Sequence, residues 1–217
     1  MRKVNEAIIL AGGESWRLKP DIWIPKPMLK VNTWTLLEYQ IKWLKDHKFD
    51  HIIIASREKY PIHMLLEENV EWSITSGRGT GGDLLVASDY LRSNKVYVMN
   101  VDDIILGYNP LMMYNIDCQA CILVSKPRIG YGRVELRRDL VLNFKEKPLL
   151  DFYVSTGHYV FKKHIFDKYF HDIGSLEEDI LPELAKRRIL KAERLPGKWI
   201  TLNTMKDYLY IKELLGR

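Results

Sequence analysis

Ala7-Ile8-Ile9-Leu10-Ala11, followed at once by Gly12-Gly13 and then by Arg17 and Pro25-Lys26-Pro27-Met28, is the stretch on which the fold turns. A run of aliphatic residues reads as a buried strand, and two glycines at its end let backbone N–H groups approach an anion closely. Arg17 offers a planar fork of donors for two phosphate oxygens, and Lys26 a compact charge for a third. Each piece has a plainer meaning, such as a turn, a stiff linker or a solvated charge. Their order along one segment favours a loop that grips a polyphosphate.

Outward from this segment, strand-like runs at 6–10, 51–55, 71–74, 95–100 and 119–124 alternate with helix-like ones. The helix at 35–47 carries Leu36, Leu37, Ile41 and Leu44 on one face, and Thr35 with Glu38 forms a capping box. A second helix at 80–91 follows a glycine-rich start. The β-α-β-α-β order implies a parallel sheet with right-handed crossovers. Beyond Gly130 the style changes to closely spaced strands at 133–137, 141–146 and 153–161, then helices at 164–169, 176–186 and 205–215. The expected whole is a three-layer α/β fold with a mixed, mostly parallel sheet, and its crevice lies at the carboxyl ends of the parallel strands.

The 217 residues favour one domain, on a soft prior of roughly one per 100 to 200 residues, and no linker or repeat divides them. No apolar run is long enough for a membrane span, and the stretch after Met1-Arg2-Lys3 is too short for a signal peptide, which predicts a cytoplasmic protein without membrane partners. A net charge of +5 permits nucleic acid binding. The basic residues form no stripe interleaved with aromatics, however, and a small anionic substrate explains the charge as well. Cys118 and Cys121 precede or open a strand and read as two buried thiols, since zinc needs four such ligands.

Chemistry-bearing residues gather at element ends. Asp102 and Asp103 follow Val96-Tyr-Val-Met-Asn100, where a strand delivers them to the crevice, and a carboxylate there suits Mg²⁺, which keeps most of its water and phosphate ligands. Ser76-Gly77-Arg78-Gly79-Thr80-Gly81-Gly82 opens a helix whose free N–H groups favour an anion or a base edge.

Taken in series, Leu10-Ala11-Gly12-Gly13-Glu14-Ser15-Trp16-Arg17-Leu18 and Pro25-Lys26-Pro27-Met28 resemble the amino-terminal signature of the sugar-1-phosphate nucleotidyltransferases. Asn100-Val101-Asp102, Gly130-Tyr131-Gly132, Phe144-Lys145-Glu146-Lys147-Pro148 and Val154-Ser-Thr156-Gly157 follow in that family's order. The resemblance implies a Rossmann-like, GT-A-like nucleotidyltransferase fold. It implies that Leu10, Ala11, Gly12, Gly13, Ser76, Gly79 and Thr80 bind the nucleotide, that Gly132, Glu146 and Lys147 hold the sugar phosphate, and that Asp102 binds magnesium. Arg17, Lys26, Asp102 and Lys147 become the catalytic set. The loop at Gly79 is most similar to those of mannose- and heptose-1-phosphate guanylyltransferases. The substrates expected are a nucleoside triphosphate and a sugar 1-phosphate, with homo-oligomerisation left open.

Four positions depart from that pattern. Ser15 and Trp16 stand where the family has Gly and Thr, and Thr201 and Asn203 where it has an Asp, the second metal ligand, and a Gly. Thr201 supplies no negative charge. These losses leave a rival reading, a weak or inactive relative that binds a nucleotide and regulates a partner.

Overall fold

The computed structural model describes residues 4–13 and 23–216. Arg17, Ser15 and Trp16 lie outside them.

Seven strands form the central sheet: β1 (Glu6–Leu10), β2 (His51–Ser56), β3 (Val70–Ile74), β4 (Lys95–Asn100), β6 (Ala120–Ser125), β9 (Val154–Lys162) and β10 (Leu190–Arg194), in spatial order β10-β6-β9-β4-β1-β2-β3. Strand β9 runs antiparallel to both its neighbours, and every other pairing is parallel. The mixed, mostly parallel sheet matches the expectation.

Alternate side chains of β1 go to opposite faces, as the period of a strand requires. Ala7 and Ile9 join a core with α1 (Leu36–Asp46), α3 (Pro110–Tyr114) and α6 (Met205–Leu215) through Leu37, Ile41, Met113 and Ile211. Ile8 and Leu10 join a second core with α2 (Gly79–Ser88), α4 (His164–Tyr169) and α5 (Leu181–Lys186) through Leu84, Phe166 and Leu184. Two apolar faces on one sheet give three layers. The capping box of Thr35 and Glu38 closes in both directions at the start of α1.

Several elements differ from the sequence expectation. Helix α2 ends at Ser88 rather than near residue 91, and the segment read as one helix at 176–186 begins as a π turn, Leu176–Ile180, before α5. Pro182, at the first turn of α5, lacks the N–H that an unbroken α-helix would use. Strand β5 (Asp103–Leu106), which pairs antiparallel with β11 (Lys198–Thr201), helix α3 and strand β10 are additions. Cys118 precedes β6, so the alternation of a strand does not separate the two thiols. Both are free, buried and hydrogen-bonded to each other.

Strands β7 (Arg133–Arg137) and β8 (Leu140–Lys145) make a separate hairpin whose every residue is exposed.

Candidate active site

A cleft opens where the parallel strands end. It is lined by Leu10 to Gly13 after β1, Arg57 after β2, Gly77, Gly79, Thr80 and Asp83 around the start of α2, and Asn100 to Asp102 after β4. Open α/β sheets bind ligands at this edge, because successive crossovers leave loops and helix starts facing one crevice there. Backbone bonds extend the sheet into the cleft floor: the Ala11 N–H donates to the Ala55 carbonyl at 2.8 Å and the Val101 N–H to the Leu10 carbonyl at 3.0 Å.

Lys26 enters from a short 3₁₀ turn, Lys26–Met28, set by Pro25 before it and Pro27 within it. Its Nζ donates to Asp102 Oδ2 at 2.6 Å across 76 residues of sequence. Both side chains are only partly exposed. The contact joins the first motif to the third and presents a cation and a carboxylate to the same space.

Asp103 turns away from that space. It is buried, accepts from Trp199 Nε1 at 2.8 Å and from Asn100 Nδ2 at 3.0 Å, and lies opposite Thr201 in the β5/β11 register. Burial and the neighbouring Asp102 push its carboxyl up to about 7, against hydrogen bonds from Trp199, Asn100 and Thr201 that pull it down. Beneath it, the buried His158 ring donates from Nε2 to the Asp103 carbonyl at 3.1 Å and accepts at Nδ1 from the Tyr97 hydroxyl at 2.7 Å. This tautomer satisfies both ring nitrogens, and burial holds the imidazole down to about 3. Two consecutive aspartates thus do different work, one facing the cleft and one bracing its floor.

The glycine-rich start of α2 serves packing as well as access. Gly79 has φ +73, and a Cβ there would overlap the Gly174 carbonyl, while the Gly81 N–H donates to that same carbonyl at 2.9 Å. One helix-start donor is therefore already used. Thr80 donates to Glu177 Oε2 at 3.0 Å and accepts from the Leu176 N–H at 2.8 Å. The wall of the cleft is stapled to a segment almost a hundred residues away.

Of the residues expected to bind nucleotide or act on it, Leu10, Ala11, Gly12, Gly13, Lys26, Gly79, Thr80 and Asp102 line this cleft, whereas Ser76 does not. Gly132, Glu146 and Lys147 are not brought to it either. Gly132 packs against the Phe144 ring, and Glu146 and Lys147 are exposed and paired with each other at 3.6 Å. Thr201 lines a separate basic cleft with Lys126, Arg128 and Trp199. Arg57, Asp83 and Glu177 were missed. The position of Arg57 immediately after a parallel strand was a legible signal, and Asp83 stands one helical turn beyond Gly79. Glu177 carries no local signal.

A family model described as nucleotidyl transferase matches residues 6–215. The chain belongs to that family. It is an enzyme of the nucleotidyl-transferring class, as its sequence resemblance implied. Among curated relatives, glucose-1-phosphate cytidylyltransferase from Salmonella typhimurium is 24% identical over 96% of this chain and 95% of its own length. Mannose-1-phosphate guanylyltransferase 1 from Arabidopsis thaliana is 29% identical over 94% of this chain, which spans 63% of that relative. Among solved structures, HddC from Yersinia pseudotuberculosis complexed with GMP-PN superposes with a TM-score of 0.72 at 25% identity, covering 98% of this chain and 100% of that one.

Proposed function

We propose that the enzyme transfers a nucleoside monophosphate from a nucleoside triphosphate to a sugar 1-phosphate, releasing pyrophosphate. The observation that carries this reading is the Lys26–Asp102 pair at the carboxyl end of β4, facing a glycine-lined cleft. The relatives that act on hexose 1-phosphates support the substrate class. Both cytidylyl and guanylyl enzymes are among them. The loop at Gly79 and the neighbour complexed with GMP-PN favour GTP with a mannose- or heptose-type acceptor.

In this mechanism a phosphate oxygen of the sugar 1-phosphate attacks the α-phosphorus in line, and the β-phosphate oxygen leaves with pyrophosphate. No covalent enzyme intermediate is required. Both reagents are anions, so the protein screens their repulsion and fixes their alignment. The N–H group at Gly13 approaches the phosphates, Lys26 neutralises the α-phosphate, and Arg17 serves the leaving pyrophosphate. Lys147 and Glu146 hold the acceptor, and this requires the exposed hairpin base to meet the cleft when the sugar is bound.

Magnesium suits the donor set. Asp102 directs one carboxylate into the cleft, no group of three His, Cys, Asp or Glu gathers among the described residues, and a cation that retains water and phosphate ligands needs only one or two carboxylates. Bound at Asp102, Mg²⁺ would offset charge on the phosphate oxygens.

The test is pyrophosphate release from each ribonucleoside triphosphate and dTTP with a panel of hexose and heptose 1-phosphates. Lys26→Ala is expected to lower kcat by about 10²- to 10³-fold with substrates saturating, because the lysine acts where charge shifts during transfer. Full turnover in that variant would defeat the role assigned to it. The second reading, a binding regulator, rests on Thr201 and Asn203 in place of the family's Asp and Gly. Tight triphosphate binding without release for any pair would favour it.

A further inference from the structure

The order β4-β1-β2-β3 lays four strand ends side by side along the cleft. Asp102 follows β4, Gly12 follows β1, Arg57 follows β2 and Thr75 follows β3. Three inter-strand spacings make roughly 14 Å, the reach of a nucleotide from its phosphates to the far edge of its base. The Lys26–Asp102 pair occupies one end of this line. Asp83 of α2 reaches inward from the other, accepting a hydrogen bond at Oδ1 from the Thr75 hydroxyl after β3 and placing Oδ2 3.7 Å from where a Cβ on Gly12 would sit. Asp83 lines the cleft, and Thr75 is the partner it shows among the described residues.

A carboxylate only accepts. It repels a polyphosphate, so the part of the ligand beside it must offer donors. Guanine presents two adjacent donors, N1–H and N2–H, at the spacing of a carboxylate's two oxygens. Uracil and thymine flank a single N–H with carbonyl oxygens, and cytosine and adenine set a ring acceptor next to their amino group. Each of these leaves a lone pair facing Asp83. Arg57, in the same wall, is the donor type that suits guanine O6.

We propose that Asp83, braced by Thr75, reads the N1–H and N2–H edge of guanine and makes this cleft selective for GTP. The assignment rests on the nucleotide-binding reading above and adds to it the residue that chooses the base.

The experiment measures Kd for GTP, ITP, XTP and CTP, with Mg²⁺, on the full chain and on Asp83→Asn. ITP lacks the N2 amino group, and XTP carries a carbonyl in its place. The wild-type protein is expected to prefer GTP over ITP and CTP by on the order of 10- to 100-fold, the size of a hydrogen bond to a charged group. Asp83→Asn keeps an acceptor for Thr75 and offers the base one acceptor and one donor. It is expected to lose GTP and to gain XTP over GTP, a gain that misfolding cannot produce. An equal loss for all four triphosphates, which would mark a ribose contact, overturns the assignment. So does an unchanged preference for GTP in the variant. Wild-type binding of CTP over GTP overturns it while the nucleotidyl-transfer reading survives. No triphosphate bound, with no pyrophosphate released, overturns both.

Discussion

A methyl group at position 157 has nowhere to go. Gly157 has φ +74, and a Cβ there would overlap Asp103 Oδ2 and Asn100 Nδ2. Gly157→Ala is therefore expected to destabilise the protein by about 3 kcal/mol, from left-handed backbone strain together with displacement of the buried carboxylate. Urea denaturation measures this directly. Thr201 poses the converse question. It faces Asp103 across β5/β11, and the sequence resemblance aligns it with a metal-binding carboxylate. Thr201→Asp is expected to lower the Mg²⁺ concentration needed for half-maximal turnover. An unchanged requirement would mean that this position does not reach the metal. At this scale the sequence revealed residue types better than directions: the resemblance singled out Asp102, but the physical difference from Asp103 lies in their partners, Lys26 for the first and Trp199 and Asn100 for the second.

Elements stabilised by their own neighbours were legible. β1 and β4 are built on apolar runs, 7–10 and 96–99, and α1 declares its start by a capping box within four residues. Elements made by distant partners were not. β10, Leu-Lys-Ala-Glu-Arg, has the composition of a helix and becomes a strand because β6 offers it a parallel edge. β5 is four residues long and exists through β11, almost a hundred residues later. Helix α3 did carry a readable signal, an Asn109 cap followed by Pro110. The β7/β8 hairpin shows the limit of local pattern: its strands were read correctly, yet neither face is covered, and Val134, Leu136, Val141 and Phe144 lie in solvent. A two-stranded ribbon of this kind is only marginally stable. Hydrogen exchange should find its amides the least protected among the strands, with those of β4 the most protected. Equal protection would mean that something covers the hairpin in solution.

For the whole molecule, two buried groups pull the pH dependence of stability in opposite directions. The His158 imidazole is held near 3 by burial, against 6.5 when free, so between those values the unfolded chain binds the additional proton and stability falls as pH falls, by about 1.4 kcal/mol per unit. Asp103 behaves oppositely. Its carboxyl is raised from 3.8 to about 7 by burial and by Asp102, so the folded protein holds the proton and its contribution disappears as pH rises toward 7. Between about pH 4 and 6.5 the two slopes nearly cancel. Asp103→Asn removes the second, and the stability of that variant is expected to climb steeply with pH across a range where the wild type stays almost flat. Parallel curves for the two proteins would refute the opposed pair. Below that range Glu6 adds a further loss: burial pushes its carboxyl up, but hydrogen bonds from His51, Ser93 and Arg92 outweigh this and hold it below its usual value.

The contacts from Gly79 and Gly81 to Gly174, and from Thr80 to Glu177, carry a temporal meaning. Strands β1 to β4 and helix α2 come early in synthesis, yet the side of the crevice they frame is completed by residues that leave the ribosome much later. A nascent chain stopped before residue 174 would own the sheet edge and the lysine–aspartate couple but lack the buttress behind the helix. Under the proposed function, capture of the triphosphate is thereby deferred until most of the polypeptide has been made.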